Sequence, residues 1–184
     1  MYLPMKSSVR TVRALAGALL LACGLAACSH PGGSGSSPVK AQPSVEPSAA
    51  VAAIRAAGSN LDSAVQVQPL RDPAIEGFLE RAHAAEKQGD IAAAVAAARQ
   101  ALDLAPDAPD ILQYLAELDI ARGQWLDAEK RAVESFNLGP RVGSLCARNW
   151  QTVVEARTAI GDEATAASAR ERVQACRVAP PTRM

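Results

Sequence analysis

Apolar and polar positions divide the chain into stretches of different rhythm. From Ala14 to Ala27 no residue is charged, and the charges before it, Lys6, Arg10 and Arg13, are all positive. From Ser29 to about Pro47 glycine, serine and proline dominate and large apolar groups are scarce. Such a segment buries too little surface to offset its ordering entropy and predicts a flexible tether over 28–47. A short apolar stretch follows, Ala49-Ala50-Val51-Ala52-Ala53-Ile54. It predicts a helix from about Ser48 to Ala57, N-capped by Ser48, within a helical or irregular segment 48–72. From 73 to 178 the apolar residues recur at helical spacing, and 179–184 read as a disordered tail.

Within 73–178 the pattern repeats. Lys87-Gln88-Gly89-Asp90 returns in kind as Ala121-Arg122-Gly123-Gln124, an offset of 34 shared by Ala94 with Ala128 and by Pro106 with Pro140. Each landmark has a mechanical role. Gly89 and Gly123 turn the chain between helices, Ala94 and Ala128 let paired helices approach, and the prolines end the second helix. This register resembles the tetratricopeptide repeat, a 34-residue helix-turn-helix unit, with copies at 75–108 and 109–142. Phe78 and Leu112 then take the large apolar position of the first helix. Arg81 stands where leucine is usual, and Ala85 and Asp119 where tyrosine is.

A third copy follows if about four residues are inserted after Val142. Trp150 then takes the aromatic position, Gly161-Asp162 the turn and Ala166 the small position. Its second helix carries Arg170 and Gln174 where the first copy has Ala98 and Leu102, the polar outer face of a terminal cap. The resemblance implies an all-α fold of about three antiparallel helix hairpins in a short right-handed superhelix.

The N-terminal rhythm changes the setting of that fold. A positive leader followed by fourteen uncharged residues predicts a signal peptide over 1–27, and the run is shorter than the roughly 20 residues of a membrane-spanning helix. It closes on Leu25-Ala26-Ala27-Cys28, which resembles the bacterial lipobox. That resemblance implies lipid on the Cys28 thiol, cleavage before it and acylation of the new amino terminus. Ser29, where an aspartate would signal inner-membrane retention, points to the outer membrane with the repeats facing the periplasm. The chain is read as a lipoprotein.

Composition and charge narrow the chemistry. Alanine dominates and aromatics make up 3% of the chain, which suits close-packed helices. All nineteen acidic residues but only sixteen of the nineteen basic ones lie beyond Cys28, a net of −3 that argues against nucleic acid as a partner. No phosphate-loop or nucleophile-elbow pattern occurs, His30 lies in the tether, and His83 reads as a solvated surface side chain. No catalytic residue, metal ligand or cofactor is expected.

Carried over from the repeat family, a concave groove for a partner peptide would be lined by Glu76, Leu79, His83, Glu86, Lys87, Asp110, Gln113, Glu117, Ile120, Arg148, Gln151 and Glu155. Five acids against two bases make it acidic, so a basic or mixed-polarity segment is the expected ligand. The bland alternative is a groove filled by the N-terminal segment, which is otherwise expected against the open side of the first repeat. Export also places Cys146 and Cys176 in an oxidising space, each 15 residues from the turn glycine Gly161, and predicts a disulfide between them. The function these features suggest is a periplasm-facing adaptor in envelope, secretion or pilus assembly. The alternative is a structural lipoprotein that associates with itself.

Overall fold

The computed structural model describes residues 45–59 and 71–177. The signal peptide, Cys28, nearly all of the tether, most of the segment joining the first helix to the repeats, and the tail lie outside the described residues. Seven helices make up the described residues: α1 (Pro47–Ser59), α2 (Pro73–Lys87), α3 (Ile91–Leu104), α4 (Pro109–Ala121), α5 (Trp125–Leu138), α6 (Ser144–Ala159) and α7 (Glu163–Ala175). They form three hairpins, α2/α3, α4/α5 and α6/α7, stacked in chain order through α3 against α4 and α5 against α6.

The hairpin turns are built alike from the same chemistry. Gly89, Gly123 and Gly161 have φ of +79°, +70° and +80°, a left-handed conformation that side chains resist. Each glycine N–H bonds back into the helix, to Glu86 O at 2.9 Å, Ile120 O at 2.9 Å and Thr158 O at 3.1 Å. The next residue reaches further, with Asp90 N to Ala85 O at 3.0 Å, Gln124 N to Asp119 O at 2.8 Å and Asp162 N to Arg157 O at 2.8 Å. This paired pattern satisfies carbonyls that a helix end leaves free. Asp90 and Asp162 then cap the following helix, their carboxylates accepting from Ala93 N and Thr165 N.

Small residues set the spacing inside each hairpin. Ala94, Ala128 and Ala166 are fully buried, as are Ala98 and Ala132. In the third hairpin Arg170 is exposed and the neighbouring Ala169 turns inward instead, so α7 is rotated by about one residue to keep its polar face out. The four-residue insertion lengthens α6, which starts at Ser144 ahead of the repeat register. Gly143 before it, at φ +87°, gives its N–H to Cys176 O at 2.7 Å. Beside that contact a disulfide joins Cys146 to Cys176, with Cα atoms 5.7 Å apart.

Two departures from the repeat pattern have partners. The Arg81 guanidinium lies 4.3 Å over the Phe78 ring and covers it. Asp119 is buried on α4 and accepts from Arg131 Nε of α5 at 2.6 Å, an ion pair in the place of a packed ring. Helix α4 is the centre of the molecule, for every residue from Ile111 to Ile120 is buried.

The first helix departs from expectation in cap and position. Its N-terminus is capped by Glu46, whose carboxylate accepts from Ala49 N at 3.0 Å and from the Ser48 hydroxyl, so Ser48 is not the cap. It packs on α4 and α6, the second and third hairpins, and not on the open side of the first. Ala50, Val51, Ile54 and Gly58 form the buried stripe, the first three clustering with Ile120, Ala128 and Ala156. Val51 and Ile54 contribute about 1.5–3 kcal/mol each by leaving water.

Candidate protein-binding groove

The first helices of the hairpins, α2, α4 and α6, present the face that would receive a ligand, and α1 already occupies the part over α4 and α6. The seat is close. At Gly58 a Cβ would stand 2.7 Å from Arg148 Cδ, so the missing side chain lets α1 lie against α6.

A chain of charged and polar groups fixes that seat. The Glu117 side chain is 0% exposed, and a carboxylate so placed is costly unless paired. Three side chains converge on it. Arg55 Nε of α1 donates to Oε2 at 3.0 Å, while Arg148 of α6 donates to Oε1 through Nε at 2.8 Å and Nη2 at 2.5 Å. Gln113 Nε2 adds a bond to Oε1 at 3.0 Å and another to Thr152 Oγ1 at 2.9 Å. Arg55 continues outward, with Nη2 donating to Glu86 Oε1 of α2 at 2.6 Å. Partial burial works against the Arg55 charge, but its hydrogen bonds to Glu117 and Glu86 outweigh that and hold the guanidinium protonated.

Glu86 Oε2 in turn accepts from the Tyr114 hydroxyl at 3.0 Å. Burial first, and then the Glu86 charge, push the phenol well above its ordinary range. The exposed His83 ring stacks on Tyr114 at 4.4 Å between centroids. One network therefore runs Arg148, Glu117, Arg55, Glu86, Tyr114 and ties three helices of the groove to α1.

Several expected groove residues are placed differently. Leu79 points into the core with Ile75 and Ala82 rather than into the groove, because positions 75, 79 and 82 form the buried stripe of α2. Gln113, Glu117 and Ile120 are buried in the floor and are not open to a peptide while α1 is in place. The acidic character expected of the groove is also reduced. Asp110 and Glu76 pair with Arg71, and Glu86 and Glu117 with Arg55, two arginines from outside the repeats. Gln151 Nε2 donates to Glu155 Oε1 at 2.7 Å, and burial raises the Glu155 carboxyl despite that bond and the Arg170 charge.

Arg55 and Tyr114 escaped the sequence reading. Arg55 had a signal, as the lone charge in the otherwise uncharged helix 47–59. What stays open is a cleft of about 680 Å³ lined by Arg55, Glu80, His83, Ala84, Glu86 and Lys87, between α1 and α2. A smaller recess of about 290 Å³ adjoins it and reaches Ser59, Tyr114, Ser144 and Arg148. The chemistry available is recognition by mixed charge and an exposed ring edge.

The comparisons with known proteins agree with this architecture. The tetratricopeptide repeat family matches over residues 85–147. Among solved structures, the globular C-terminal domain of P. aeruginosa LpoP is 30% identical, with a TM-score of 0.54, over 57% of this chain and 99% of that one. No curated protein matches the chain.

Proposed function

Because the chain belongs to the tetratricopeptide-repeat lipoproteins of bacteria that include P. aeruginosa LpoP, we propose that it is an outer-membrane lipoprotein whose repeats face the periplasm and dock a protein partner. Lipid on Cys28 anchors it, and the adaptor serves envelope, secretion or pilus assembly. The observation that carries the reading is the cleft of about 680 Å³ between α1 and α2, a concave, mixed-charge surface on the ligand face of the hairpins. A groove of this kind presents side chains for recognition and supports a binding rather than a catalytic role.

The test is a photoreactive residue at Lys87 in living cells, with the same residue at Arg99 on α3 as control. One discrete protein captured from Lys87 and not from Arg99 is the expected result. No capture from Lys87 overturns the adaptor reading, and capture of this chain alone replaces it with a self-associating structural lipoprotein.

A further inference from the structure

The helix that closes the groove is built like a ligand. It is a separate element joined to the repeats through 60–70, and among the described residues it packs chiefly on α4 and α6, with Ala128 of α5 in the same apolar cluster and Arg55 reaching Glu117 and Glu86. From these relations we infer that α1 is a displaceable intramolecular ligand, and that the groove over α4 and α6 receives a short amphipathic helix of the same pattern from a protein partner. This rests on the adaptor reading and names the partner class.

The floor states what that helix must carry. Ile120, Ala128 and Ala156 call for small and β-branched residues at the positions of Ala50, Val51 and Ile54, and the approach of Arg148 calls for glycine at the position of Gly58. Anything larger at the last position meets Arg148. With α1 removed, the floor holds Glu86 and Glu117 against Arg148 alone, one negative charge in excess. The incoming helix must therefore bring a cation directly after its isoleucine position. A guanidinium suits the geometry better than an ammonium, since Arg55 reaches Glu117 through Nε and Glu86 through Nη2.

Three features make α1 exchangeable. Its buried stripe is half alanine and glycine, it has 13 residues, a length at which an isolated helix is marginal in water, and Arg55 remains 44% exposed at the side chain. The floor is also left incomplete, for Gln113 Oε1 is buried and has no hydrogen-bond partner among the described residues. Against exchange stands the high effective concentration of a segment carried on the same chain. A free copy of α1 should thus bind the intact protein weakly and gain sharply when the tethered copy is loosened.

The experiment uses the full chain purified in detergent and a fluorescent peptide of residues 45–59. The expected result is at least tenfold tighter peptide binding to the Arg55→Ala chain than to the wild type, lost when the peptide itself carries Arg55→Ala. Ile54→Ala loosens α1 without touching Glu117 and should show the same gain should Arg55→Ala fail to fold. Hydrogen exchange in 111–120 should slow on binding. Peptide binding that is absent from both variants, or equal to all chains, overturns the inference. So does a concentration-dependent dimer that excludes the peptide, which would place a second copy's α1 in the groove. A partner captured at Lys87 while the peptide fails would overturn displacement and leave the adaptor reading standing.

Discussion

Arg55 on α1 and Glu117 on α4, 62 residues apart in sequence, meet at 3.0 Å, and this contact carries the only charge of α1 onto the one fully buried carboxylate of the groove among the described residues. Removing Arg55 leaves Glu117 with Arg148 and Gln113, and the half-exposed position of Arg55 moderates the loss. Arg55→Ala should cost about 1–2 kcal/mol in urea unfolding, and Arg55→Lys, which cannot bridge Glu86 and Glu117 together, should fall between. An Arg55→Ala chain as stable as the wild type would show that the contact does not hold α1.

The turn glycines differ in kind from glycines inside helices. Gly123→Ala puts a side chain at φ +70° and should destabilise by about 1–2 kcal/mol. Gly77 lies within α2 with open space around its missing Cβ, so Gly77→Ala should stabilise by about 0.5–1 kcal/mol. Thermal melts of the two variants should move in opposite directions.

The Cys146–Cys176 bond closes a loop with a sequence separation of 30. In the chain-entropy account such a loop stabilises by about 3–4 kcal/mol, so reduction should lower the urea midpoint by a matching amount. Peptide mapping of periplasm-derived protein without reductant should yield the linked pair. Two alkylatable thiols would remove the bridge from the native protein.

Glu155 gives a pH dependence of defined sign. Burial raises its carboxyl above the ordinary 4.5, with Gln151 and then Arg170 acting the other way. A carboxyl raised in the folded state leaves stability full below its unfolded value and loses it as pH climbs through the raised value. Glu155→Gln keeps an acceptor for Gln151 and abolishes that loss. It should match the wild type near pH 4 and exceed it at pH 7. Equal stability of the two chains at pH 7 would show that the burial of Glu155 carries no cost.

Anchorage is tested at one atom. Cys28→Ala removes the thiol that would accept lipid, and the protein should then be recovered from the periplasm without membrane association. A variant that still fractionates with the outer membrane at unchanged mass excludes Cys28 as the lipid site.

Local chemistry made most of the fold legible. The 34-residue offset of Gly89 with Gly123 could be read because a left-handed turn demands glycine, and Ala94 with Ala128 because close helices demand a small residue. The third hairpin followed from the same rules once its insertion was allowed. The seat of α1 was not legible. Its stripe of Ala50, Val51 and Ile54 says that a face must be buried but not against which helix, and the Arg55 to Glu117 contact has no local trace. Leu79 shows the opposite error, since a family position placed it in the groove although its spacing from Ile75 and Ala82 already marked it as core.

The bond between Cys146 and Cys176 also gives the stack a direction of fraying. In a linear array of hairpins each unit is held by its neighbours, and the ends open first. The last hairpin is a covalent ring that also supports α1, whereas α2 and α3 pack on the stack through α3 against α4 and are otherwise held by side-chain bonds such as those of Glu86 to Arg55 and Tyr114. Opening should therefore begin at the first hairpin, the end that forms one wall of the unoccupied cleft. A molecule bound there would brace the weakest part of the array and would register as slowed hydrogen exchange across α2 and α3 before any change in the global melting temperature.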